Sequence, residues 1–129
     1  MTRTRTPARA LGAWALVALV LAGCEPSGEG ELRAEVEAPA PTAAVVLEVT
    51  GKGVLGFEDA GDTRVFAATV DPSATTHRVI AVSASGERIR FGVRVEDVGA
   101  PPRAAVVSAS GPDDAPIASV AGYTVRIAR

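Results

Sequence analysis

Few side chains in this 129-residue sequence could do chemistry, and those few do not assemble into a reacting set. His77 is the single histidine, lying beside Thr75 and Thr76 at the start of an apolar run. A histidine acts as a general base only with a positioned partner, and no G-x-S-x-G elbow accompanies this one. A zinc site needs three or four ligands, which one histidine and no free thiol (Cys24 being the single cysteine) hardly supply. Glu58, Asp59 and Asp62 form a small acidic loop, and Asp113 and Asp114 form another. Calcium wants six to eight oxygens from a spaced loop, so both read as solvated turns. Gly51-Lys52-Gly53-Val54-Leu55-Gly56 matches G-x-G-x-x-G, and Asp71 stands where a ribose-binding acid would be sought. A dinucleotide site, however, needs a helix opening at the glycines. Here Phe57 to Asp62 leads into another strand, so the glycines read as a hairpin turn. Arg88, Arg90 and Arg94 share one strand face, the first pair about 7 Å apart by strand rise. Such a row can grip carboxylate or phosphate groups, or simply form a solvated face that discourages aggregation. The solvated face is the favoured reading, and the row is the first place to look for a ligand or partner. No metal, no cofactor and no enzymatic activity are expected.

The elements that position these residues begin with an export signal. Arg3, Arg5 and Arg9 make a basic segment without acidic residues, and Ala10 to Leu21 is apolar. That run fits a signal core and is short of the ~20 residues that span a bilayer. No adjacent arginine pair precedes it, so nothing favours the twin-arginine route. Leu21-Ala22-Gly23-Cys24 follows, and this tetrapeptide resembles the lipobox of bacterial lipoproteins. An ordinary secretory signal or a buried helix would share the apolar run. The position of the one cysteine favours the lipobox. The resemblance implies cleavage before Cys24, a diacylglyceryl thioether on its sulfur and an N-acyl chain on its amine. Each buried methylene contributes roughly 0.8 kcal/mol, so two or three chains anchor a protein durably. The resemblance also implies a cell-envelope location outside the cytoplasm. In enteric sorting Asp after the cysteine retains a lipoprotein in the inner membrane, so Glu25 leans toward the outer membrane.

Removing residues 1–23 changes the composition. Of 13 basic residues, the loss of Arg3, Arg5 and Arg9 leaves 10 against 15 acidic ones, a net charge near −5. Nucleic acid needs a basic footprint and is not an expected partner. Trp14 leaves with the signal, and the remaining aromatics, Phe57, Phe66, Phe91 and Tyr123, are expected in the core. Residues 24–43 carry Glu25, Glu29, Glu31, Glu35 and Glu37 against Arg33, with Pro26, Pro39 and Pro41. High charge and scarce apolar residues predict a disordered tether. A short helix over 31–38 that docks a partner is the alternative. Such a tether would lift the following domain some tens of ångströms from the lipid.

From Ala44 onward the pattern has period two. In Arg88 to Glu96, Ile89, Phe91, Val93 and Val95 alternate with Arg88, Arg90, Arg94 and Glu96. Further strands are predicted at 45–50, 54–57, 64–70, 78–84, 103–109 and 123–128, with a short extra one at 117–120. Gly, Pro and Asp clusters separate them as turns. Residues 44–129 are therefore expected to form an all-β domain, a small antiparallel sandwich of seven to eight strands, immunoglobulin-like in outline. Arg78-Val-Ile-Ala-Val-Ser-Ala-Ser-Gly86 echoes Arg103-Ala-Ala-Val-Val-Ser-Ala-Ser-Gly111. Two copies are too few for a solenoid and read as two strands in similar environments. The expected role is a non-catalytic interaction or structural module, held at a membrane and joined by an envelope protein partner. The alternative is a binding protein for a small anion or glycan.

Overall fold

The structure is a computed structural model that describes residues 27–129, so the signal segment, Cys24 and Glu25–Pro26 lie outside the described residues. Eight strands form: β1 (Gly30–Glu37), β2 (Ala44–Thr50), β3 (Val54–Glu58), β4 (Thr63–Ala67), β5 (Thr76–Ser83), β6 (Ile89–Val95), β7 (Arg103–Ser110) and β8 (Thr124–Ala128). They make two four-stranded antiparallel sheets, β3-β6-β1-β8 and β4-β5-β2-β7. The expected all-β sandwich is what forms.

The tether expectation is overturned for residues 30–43. β1 is a central strand, paired along its length with β6 and along its second half with β8. Its inward residues Leu32, Ala34 and Val36 belong to the core, while Glu31, Arg33, Glu35 and Glu37 point to the opposite face. Period-two alternation was present in the segment, but its net charge masked it. The cations that offset those carboxylates stand on β6 and β8, far away in sequence. The domain therefore begins near Gly28, whose carbonyl accepts a bond from the Val98 N–H at 2.9 Å.

A second correction concerns the extra strand at 117–120. That segment forms no strand; Pro116 makes only an isolated bridge to Ser110, and the Ile117 N–H donates to the Ala109 carbonyl at 3.0 Å. β1 takes the eighth place instead. The Gly51–Gly53 turn also differs from expectation, because β2 and β3 lie in different sheets and the turn carries the chain across the sandwich. Gly53 has φ 75°, a left-handed conformation that glycine adopts without strain. Of the seven connections, only β4–β5 is a hairpin within one sheet. The two echoing segments become β5 and β7, which flank β2 on either side. Arg78 opposes Glu48 whereas Arg103 opposes Thr50, so the copies differ in register and share only an environment.

Between the sheets lies a core of Val, Leu, Ala and Ile around Phe91, which is fully buried. Phe57 packs against Phe91 with ring centroids 6.3 Å apart. Thr63 crosses the gap: its hydroxyl donates to the Arg88 carbonyl and accepts from the Arg90 N–H, both at 3.4 Å. Tyr123 and Thr42 share a hydroxyl contact of 2.6 Å that ties the β7–β8 loop to the β1–β2 crossover. Phe66 departs from the expectation for the aromatics, being 57% exposed on the outer side of β4.

If β1 is core, Leu32→Ala should destabilise the protein by about 2–5 kcal/mol, the range for truncating a buried leucine. Urea denaturation measures this; a shift near zero would return the segment to a tether.

Candidate functional site

The arginine row expected on β6 exists, but it is not a bare cationic strip. On the outer face of the β3-β6-β1-β8 sheet, Arg94 stands opposite Glu31, and Arg90 opposite Glu35. Arg126 on β8 opposes Glu35 from the other side, and Glu58 flanks Gly92 from β3. Arg88 Nη1 lies 3.7 Å from Glu35 Oε1, and Arg94 Nε lies 3.9 Å from Glu58 Oε1. Arg88 and Arg94 thus each have a carboxylate within 4 Å, whereas Arg90 stands opposite Glu35 in register without an ion pair that close among the described residues. Gly92 makes room for this arrangement, since a Cβ there would collide with the Glu31 carboxylate. Exposed pairs of this kind contribute about 0–1 kcal/mol each, so their main effect is electrical neutrality.

Neutrality limits what the row can bind. An anion approaching Arg88 or Arg94 meets a carboxylate within 4 Å of the guanidinium and must displace it. The groove at this end of the sandwich, about 800 Å³, runs between residues 35–42 and 86–89. Its charged lining is Glu35, Glu37 and Glu87 against Arg88, which disfavours an anionic ligand. The structure thus places the three arginines on one face as expected and sets among them Glu31 and Glu35, from the segment read as a tether, and Glu58 from β3.

His77 faces inward between the sheets, with its ring edge-on to Phe57 at 6.2 Å. Its Nε2 lies 3.1 Å from the Asp71 carbonyl, a bond that the ring donates. Nδ1 is buried without a partner. No serine or threonine hydroxyl is hydrogen-bonded to His77 among the described residues; the ring instead fixes the β4–β5 loop to the body of the sheet. Among the described residues no three His, Cys, Asp or Glu side chains gather as a metal site. The glycine motif leads from strand to strand with no helix, so no helix N-terminus faces it.

The acidic loops are turn-forming. Asp71 accepts from the Ser73 hydroxyl at 2.7 Å and from the Ser73 N–H at 2.9 Å, which hold its carboxyl below the ordinary value. Asp62 is lowered in the same way, chiefly by Ser85, with the Arg90 charge a smaller contribution. Asp59 accepts from the Val65 N–H at 2.7 Å. Asp59 and Asp71 are thus occupied in closing local loops, and Asp62 in tying the β3–β4 turn to the β5–β6 loop.

Sequence reasoning missed one surface. The outer face of the β4-β5-β2-β7 sheet carries all three exposed large apolar side chains, Phe66, Ile80 and Val107. The available signal was the continuous apolar run in Val79-Ile80-Ala81-Val82 and in Ala44-Val45-Val46-Leu47, which marks strands apolar on both faces. Comparison with protein families, with curated proteins and with solved structures finds no match to this chain.

Two outcomes are expected. Phosphate or sulfate should give no saturable rise in Tm, and Arg90→Ala should leave that response unchanged; a dose-dependent rise lost in Arg90→Ala would restore the anion site. For Asp62 and Asp71, the folded chain binds the carboxyl proton less readily than the unfolded chain. Their contribution is therefore complete above pH 3.8 and is lost as pH falls through the lowered folded value. The acid limb of the stability–pH curve should be shallower in Asp62→Asn/Asp71→Asn than in the parent.

Proposed function

We propose that this protein is a lipid-anchored envelope protein whose β-sandwich acts as a non-catalytic interaction or structural module. The observation that carries the reading is the Leu21-Ala22-Gly23-Cys24 tetrapeptide, together with how soon the folded domain begins after it. Gly28 is already bonded to Val98, and only Glu25, Pro26 and Ser27 separate it from Cys24. Four residue steps reach at most about 14 Å. A lipid on Cys24 would hold the domain against the bilayer rather than far above it. The end nearest the membrane would be the one formed by the start of β1, the Gly51–Gly53 turn and the 96–102 loop. Outer-membrane placement belongs to this proposal through Glu25.

An interaction role is favoured over anion binding by the charge arrangement, since carboxylates stand beside Arg88 and Arg94 and the adjoining groove is acidic. Lipidated Cys24 leaves no thiol, so the fold depends on its packed core without a disulfide.

The anchor is tested by intact-mass measurement of the purified protein and by fractionation. The chain is expected to start at Cys24, carry the mass of two or three acyl chains and remain with membranes. Cys24→Ser should abolish the added mass and release the protein from membranes. A free Cys24 thiol, or membrane retention of Cys24→Ser, would overturn the anchor.

A further inference from the structure

The two outer faces of the sandwich differ in kind. One is a lattice of alternating charges, as described above. On the other, Phe66, Ile80 and Val46 stand in register across β4, β5 and β2, with Val82 and Ala44 alongside in the next row. Strands with apolar residues on both faces are normally covered on both. Within the described chain nothing covers this face, and Phe66 and Ile80 are 57% and 43% exposed.

We propose that this face is where a second copy of the chain packs, sheet against sheet, about a two-fold axis running along the strands between β5 and β2. Three features of the face point to that occupant. Phe66 projects from one edge, while a depression of about 270 Å³ lies toward the other edge, lined by Val46, Ile80, Ser108 and Pro116 among others. A two-fold axis in that position lays β4 of each copy over β7 and β2 of the other. Each Phe66 then enters the partner's depression, the reciprocal contact that a two-fold interface requires. Charge follows the same geometry. Arg64 lies one row from Phe66 on the same face of β4, and it forms no ion pair within the described chain. Asp114 borders the depression beside Ser110 and Ala44, in the row that the partner's Arg64 would reach. Both are exposed, and their charges are opposite.

The face is small. Four strands ~4.8 Å apart and five to eight residues long give a flat footprint of roughly 450 Å². That is about half the ~800 Å² per partner of a standard interface, so the contact is weak in dilute solution. Confinement on one membrane raises the effective concentration and favours it. The proposal rests on the reading of the domain as an interaction module and names its partner.

Site-specific photocrosslinking in intact cells tests it. A benzophenone amino acid replaces Phe66, keeping an aromatic side chain there, and two differently tagged copies are expressed together. Irradiation should give a mixed dimer whose crosslinked peptide lies within residues 103–116. The same probe at Arg33, on the charged face, should give at least about tenfold less. Arg64→Glu and Asp114→Lys should each lower the dimer yield about tenfold, the scale of a reversed interfacial charge. Combining them should recover most of the loss, with protease resistance confirming that each variant is folded. An adduct with a different protein would keep the interaction module and overturn self-association. An adduct with lipid, equal yields at Phe66 and Arg33, no adduct, or no recovery in the double variant would also overturn it.

Discussion

The ladder between β1 and β6 is the contact on which the rest of the structure depends. It brings Leu32, Ala34 and Val36 over the core from one side and Phe91 and Val93 beside them. On the outer face it sets Glu31 and Glu35 opposite Arg94 and Arg90. Without β1, β8 would lose its neighbour and β6 would become an edge. The segment cannot order itself in isolation, because a lone strand has nothing to bury Leu32, Ala34 and Val36 against. It orders when those residues enter the core, and the arginines across from its carboxylates offset their repulsion, so charge balance here is a property of the sheet and not of the strand.

Opposite charges set across from one another also protect the outer face. A sheet with alternating Glu and Arg side chains presents little apolar area to a second molecule, and the carboxylates beside Arg88 and Arg94 compete with phosphate there. The other sheet is built differently. β2, β5 and β7 are rich in Val, Ile and Ala on both sides, broken by the Arg78–Glu48 pair at 3.4 Å. A sandwich with one face closed by charge and one left apolar is polarised, and a short connection to a membrane anchor would fix how that polarity is presented.

Chain connectivity makes this a fold of non-local contacts. Six of the seven links pass from one sheet to the other, so neighbours in a sheet are distant in sequence except for β4 and β5. Loop closure precedes the gain from such pairings, which makes folding slow relative to helical domains of similar size. Pro39 and Pro41 stiffen the first crossover, and the Thr42–Tyr123 contact locks it against the last one.

Alternation of apolar and polar residues was enough to determine that the chain is all-β, and it located seven of the eight strands to within a few residues. Tyr123 to Ala128 and Arg88 to Glu96 could be assigned to strands directly, because burial on one face imposes a two-residue period that any reader of the sequence can see. The proposed lipobox at Cys24 is likewise a local feature, since a processing signal of that kind would be read as a linear string. Tertiary structure alone decided that Gly30–Glu37 is a central strand, that Gly51–Gly53 joins two sheets, that Phe66 points outward, and that Arg88 and Arg94 are paired with carboxylates. Each of these depends on which strand lies next to which. Pairing across long separations is set by the whole core and by distant charges, and no local window of the sequence contains that information.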